Sequence, residues 1–155
     1  MKEKRKILRY ISVILLLLTI MFIWGNSLKP GEESLEDSGA VKAFVEGIFE
    51  AFGFDAEIGE LFIRKLGHFA EYFLLGALAY LVALQYPLPQ KAYISATFCL
   101  AVAAIDETIQ LFVVGRNGNV LDVLLDSFGA ICAILLILGV NCFLKRRKEK
   151  NSKNT

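Results

Sequence analysis

The chain has 155 residues, 55% of them hydrophobic, and a formal net charge of +1, with a mean hydropathy of +0.53. Its charge is packed into the two ends and one loop, which is the composition of an integral membrane protein of one domain and excludes a soluble enzyme. The three cysteines, Cys99, Cys132 and Cys142, sit in apolar runs and are odd in number, so neither a disulfide framework nor a metal spacing is present.

Four apolar runs, at about residues 7–24, 68–86, 92–114 and 121–144, are each close to the ~20 residues that span about 30 Å of hydrocarbon. Runs of this length without period-two alternation satisfy their backbone groups in lipid as helices. The expected architecture is an all-α bundle of four transmembrane helices. The basic start, Met1 to Lys6, followed by an apolar run has the layout of a secretory signal. That run ends in Phe22, Trp24, Gly25 and Asn26 with no small-x-small cleavage site, so it reads as a retained first span.

The segment 25–67 is expected to be an outer loop with structure of its own. After the turn-rich Lys29 to Ser34, the apolar residues Val41, Phe44, Val45, Ile48, Phe49 and Phe52 recur at helical spacing, with Lys42, Glu46 and Glu50 on the other side. That split makes an amphipathic helix able to lie in a membrane interface or to cover the bundle. Asp55 is a candidate N-cap for a short helix carrying Ile58, Leu61 and Phe62 into the second span, with Glu60 and Arg64 spaced to pair.

Residues 1–9 hold five Lys and Arg and residues 145–155 hold six, and the connection after Tyr86 adds Lys91, whereas 25–66 carries nine acids against four bases. Basic residues beside short spans mark the cytoplasmic side. Both termini (tails 1–6 and 145–155) are therefore expected in the cytoplasm, and the acidic loop and the turn 115–119 outside, in a multi-pass cell-membrane protein. The basic tails read as topology determinants and imply no nucleic-acid partner.

Nine ionisable residues lie inside or at one end of the apolar runs: Arg64, Lys65, His68, Glu71, Asp106, Glu107, Arg116, Asp122 and Asp126. A charge at mid-bilayer costs roughly 2.5–3.5 kcal/mol on insertion scales, so such residues need partners or a wet cavity. The expected topology brings them, with Tyr72 and Gln110, to one depth, and i, i+3 and i+4 spacings put Arg64, His68, Glu71 and Tyr72 on one face, Asp106 and Gln110 on another, and Asp122 and Asp126 on a third. Three polar stripes then line one pocket open to the outside. Candidate proton-transfer groups are His68, Glu71, Asp106 and Glu107; candidate ligand contacts are Lys65, Tyr72, Gln110, Arg116, Asp122 and Asp126. Asp106 and Glu107 project about 100° apart on a helix, so one is expected to meet His68 or a base and the other a neighbouring helix. Buried acids of this number can build a hard-cation site, but Arg64, Lys65 and Arg116 are expected to neutralise them, and neither metal nor cofactor is predicted. Arg116, in a glycine-rich turn, is suited to fork onto phosphate or carboxylate or else to pair with Asp122. Gly67, Gly76, Gly118 and Gly129 read as packing or turn positions.

At these residues the chain resembles the VanZ-like family. Arg64 to Gly76 is similar to its K-x-x-H-F-x-E-Y signature, Asp106 to Phe112 to D-E-x-x-Q-x-F, Gly115-Arg116 to G-R, and Asp122 to Gly129 to D-x-x-x-N-x-x-G, in order and over most of residues 20–140. The exit of the first run, Asn26 to Ser34, also resembles the family's serine-containing segment. Asp126 stands where many members have Asn, and Leu28 where the position is often polar. The resemblance implies a cell-envelope protein associated with lowered susceptibility to teicoplanin-type lipoglycopeptides. Three readings stay open: a protein binding an envelope lipid or lipid-linked glycan, with membrane lipids, lipid-linked precursors or lipoglycopeptides as partners; an intramembrane enzyme using His68 with Asp106 or Glu107; and a purely structural polar network.

Overall fold

The computed structural model describes residues 2–51 and 59–153. Five helices follow one another: α1 (Lys2–Ser27), α2 (Gly31–Ala51), α3 (Glu60–Leu84), α4 (Lys91–Gln110) and α5 (Val120–Lys153), with no strand among the described residues. Stretches of α1, α3, α4 and α5 are long and apolar enough to cross a membrane: Lys6–Ser27, Glu60–Leu84, Lys91–Gln110 and Val120–Asn151. Four hydroxyls inside them bond within their own helix. Ser12, Thr19, Ser95 and Thr108 each donate to the carbonyl four residues back, the arrangement lipid imposes where no water is at hand.

Several boundaries differ from those read in the sequence. The second spanning helix begins at Glu60 and not at His68; its first turns are charged enough to fall below an apolar window yet consist of good helix formers. This absorbs Leu61 and Phe62, while the Asp55 cap and Phe52 lie outside the described residues. The third helix stops at Gln110, and 111–114 unwinds into turns in which Leu111 and Phe112 donate backbone hydrogen bonds to Glu107 and Ile109. The basic tail continues α5 as helix to Lys153, as Lys, Arg and Glu side chains permit. The segment 25–67 is mostly helical, since α2 starts at Gly31 inside the stretch read as a turn.

Helix α3 is the hub, packed against α5, α4, α1 and α2, and α4 also packs on α5 and α1. The core gathers Ile23, Tyr72, Leu75, Cys99, Val102 and Ala130. Lipid supplies no hydrophobic drive for helix pairing, so close backbone approach matters, and small residues allow it. At the α3–α5 crossing a Cβ on Gly76 would lie 2.4 Å from the Ala130 carbonyl oxygen, and one on Gly129 would lie 2.7 Å from that of Phe69. Gly67, expected to serve packing as well, faces open space. Cys99 is buried, Cys132 half-buried and Cys142 exposed, and none is bonded to another.

Helix α2 turns Gly31, Ser34 and Ser38 inward. Its larger apolar residues are exposed, Phe44 at 70% and Val41, Ile48 and Phe49 also open. The apolar face therefore does not cover the bundle. At the opposite end from the α1–α2 connection, Arg9 donates to the Gln85 carbonyl at 2.8 Å and stacks over Tyr86, and Gln85 donates to Ser12. These contacts pin the start of α1 to the α3–α4 turn.

Candidate functional site

The chain direction puts the end of α1, the start of α3, the end of α4 and the start of α5 at one end of the bundle. There the polar stripes meet. Arg64, Lys65, His68, Glu71 and Tyr72 come from α3, Asp106, Glu107 and Gln110 from α4, and Asp122 and Asp126 from α5. A cavity of about 670 Å³ opens among them, lined by Arg64, Lys65, His68, Gln110, Asp122 and Asp126 together with the turn 115–119. A second, of about 220 Å³, lies beneath α2 against Asn26, Lys29, Glu71 and Arg116, and shares Arg64 and His68 with the first.

The adjacent acids of α4 divide their work. Glu107 accepts hydrogen bonds from the backbone N–H of Asn119 at 2.8 Å and from Gln110 Nε2 at 3.1 Å. Asn119 in turn opens α5: its carbonyl accepts from Asp122 and Val123, and its side chain accepts from the Leu121 N–H, a capping role suited to Asn. Gly118 fits against the Glu107 carbonyl, where a Cβ would come within 2.3 Å. Asp106 points the other way, with a carboxylate oxygen in one group with His68 and Asp126; one ligand atom from each lies within 4.8 Å of the others. His68 Nδ1 is 3.9 Å from Asp126 Oδ1.

The cations are distributed otherwise than expected. Lys65 pairs with Asp122 across α3 and α5. Arg64 reaches Gln110 Oε1 at 3.5 Å instead of pairing with Glu60. Arg116 donates through Nη2 to the Asn26 carbonyl at 2.7 Å and through Nε to that of Lys29 at 3.1 Å. It thereby staples the turn after α4 onto the exit of α1 and lines the smaller cavity. Burial, followed by the charge of Arg64, holds its guanidinium below the usual range. On the exposed side of this junction Lys29 bonds Asp37 at 2.7 Å, which raises its ammonium above the usual value. Gly31 and Gly115 meet backbone to backbone here, and Gly115 has φ +75°, a conformation open to glycine at little cost.

Glu71 sits apart from the Asp106 group and accepts from Asn26 Nδ2 at 2.8 Å. Ser27, 1% exposed, accepts from Gln110 Nε2 at 3.3 Å. Asn26, Ser27 and Asn119 thus hold site residues in place, although the candidate set read from the sequence omits them. The available signal was that short polar residues end the first apolar run and open the last, which reads equally well as a helix stop or start.

Four apolar spans whose buried ionisable residues converge on one cavity at one end define a multi-pass membrane protein with a polar pocket. A family model described as VanZ/LLP1 matches residues 12–144, and the chain belongs to that family. No curated protein and no solved structure matches it.

Proposed function

We propose that the pocket takes the anionic headgroup of an envelope lipid or lipid-linked glycan at the outer leaflet. The observation that carries this is the cavity of about 670 Å³ with Arg64 and Lys65 on its wall beside Glu107, Asp122 and Asp126; the one a forked and the other a compact donor of positive charge, they would turn to a headgroup from their partners Gln110 and Asp122. The orientation rests on the Lys and Arg concentrated in residues 2–9 and 145–153, at the end of the bundle remote from the cavity, which the positive-inside rule assigns to the cytoplasm. The exposed Val41, Phe44, Ile48 and Phe49 of α2 suit an interface where acyl chains meet headgroups. Occupying such a lipid would change what teicoplanin-type lipoglycopeptides reach, and lower susceptibility to them is the cellular consequence of this reading.

A second reading, an intramembrane enzyme acting on the same lipid, is favoured by the proximity of His68 to Asp126, a pairing able to move protons. It ranks second because Ser127, next to Asp126 in the chain, is buried with no hydrogen-bond partner to act as its base.

Native mass spectra of the gently purified chain and of its Arg64→Ala and Lys65→Ala variants test the first reading. A specific anionic-lipid adduct in the wild type, lost or much reduced in either variant, is expected. The same non-specific lipid pattern in all three would overturn it and leave the polar residues a structural network.

A further inference from the structure

The base of the large cavity presents an electrostatic problem that the chain does not solve with its own residues. Asp106 and Asp126 are both 0% exposed, and none of their four carboxylate oxygens has a well-formed hydrogen bond, nor has His68 Nδ1; the side chains of Ser27, Gln110 and Tyr72 lie near Asp106, and Asp126 has no such neighbour among the described residues. Ionised groups left bare in a low-dielectric interior are costly unless paired or bound to a metal. The nearby cations are engaged elsewhere: Lys65 by Asp122, Arg116 by two carbonyls and Arg64 by Gln110. What remains is one imidazole nitrogen and two carboxylate oxygens, from three different helices, all within 4.8 Å of one another.

That spacing has a chemical meaning. Donors bound to one ion at about 2.0–2.2 Å can stand at most about 4–4.5 Å apart, so the group needs only a small side-chain adjustment to close on a single centre. We infer that His68, Asp106 and Asp126 form a divalent transition-metal site at the base of the pocket. The donor set selects the ion: carboxylate oxygens alone suit Mg²⁺ or Ca²⁺, whereas one imidazole with two carboxylates suits Zn²⁺ or Mn²⁺. Three protein ligands leave further coordination positions for water or for an oxygen of whatever enters the cavity. His68 and Asp126 line that cavity, so these positions are reached from it. Two further buried hydroxyls without partners, those of Tyr72 and Ser127, lie one turn after His68 and one residue after Asp126. Of the two, the Tyr72 hydroxyl lies near Asp106 and can bond that ligand once the ion orients it. The site stands independently of the lipid reading, since its geometry involves neither Arg64 nor Lys65.

The test uses the full chain in micelles, stripped with EDTA, dialysed against Zn²⁺ or Mn²⁺ and assayed for bound metal by mass spectrometry, with electron paramagnetic resonance for Mn²⁺. One ion per chain and a higher melting temperature with metal are expected. Asp106→Asn and Asp126→Asn should each weaken binding at least tenfold, while Glu60→Gln, at an exposed acid outside the cavity, should leave it in place. In EDTA the two former variants should melt at or above the wild type, because each removes an uncompensated buried carboxylate; this shows that they are folded when binding is read. A folded wild type that retains no stoichiometric metal overturns the inference and leaves the two aspartates sharing a proton. Metal retained equally in both Asn variants overturns it too, by placing the ion elsewhere.

Discussion

Glu107 Oε2 accepts the backbone N–H of Asn119 at 2.8 Å, so an acid in the last turn of α4 holds the residue that opens α5. A side-chain acceptor here substitutes for the backbone partner that a turn between two membrane helices would otherwise lack. The same carboxylate holds Gln110, which reaches on to Ser27 at the end of α1. One side chain therefore joins three helix ends around the pocket.

Replacing Glu107 with Ala leaves the Asn119 N–H and Gln110 Nε2 without this acceptor and is expected to cost about 1–3 kcal/mol. Glu107→Gln, which keeps an acceptor oxygen, should cost less. Denaturant unfolding in mixed micelles measures the difference, and hydrogen exchange at Asn119 should quicken in Glu107→Ala before global unfolding. Equal losses for Ala and Gln would show that charge, and not the bond to Asn119, is what the site requires.

The α3–α5 crossing depends on the absence of side chains. Gly76→Val should destabilise the bundle severely, because its Cβ would meet the Ala130 carbonyl oxygen at 2.4 Å, backbone that cannot swing aside. Gly67→Ala, on the same helix with nothing within 4 Å, should be neutral or gain up to about 1 kcal/mol of helix propensity. Thermal melts of the two variants side by side distinguish a specific crossing from a general intolerance of change in α3.

Helix α2 presents Phe44 at 70% exposure. With Trp24→Phe removing the native indole, Phe44→Trp should be quenched by lipids brominated near the headgroup more strongly than by those brominated near the chain terminus. Emission at long wavelength with no quenching by either would place this face in water and remove α2 from the membrane interface.

The spans were legible because lipid imposes length and hydropathy on them, and the convergence of His68, Asp106 and Asp126 followed from register alone once the helices alternated in direction. The stretch Glu60 to Leu66 read as the end of a separate short helix, because its charges keep it from registering as membrane, whereas it is the first part of α3 itself. Partner choice was also hidden: Arg116 is suited to phosphate, yet the close approach of Gly31 and Gly115 brings the Asn26 and Lys29 carbonyls to its donors. Spacing along one helix assigned Arg64 to Glu60, whereas Gln110 arrives from another helix altogether. The sequence shows which residues need partners; the packing decides which partners they take.

An outer-leaflet ligand requires that the large cavity open to the outside of the membrane. Asn117 is exposed and lines that cavity, so Asn117→Cys, in a background with the exposed Cys142 replaced by Ser and the buried Cys99 left in place, reports on it without disturbing a buried group. Labelling of whole cells by an impermeant maleimide is predicted. Protection in intact cells, with labelling only after permeabilisation, would put the pocket in the cytoplasm and contradict an outer-leaflet ligand.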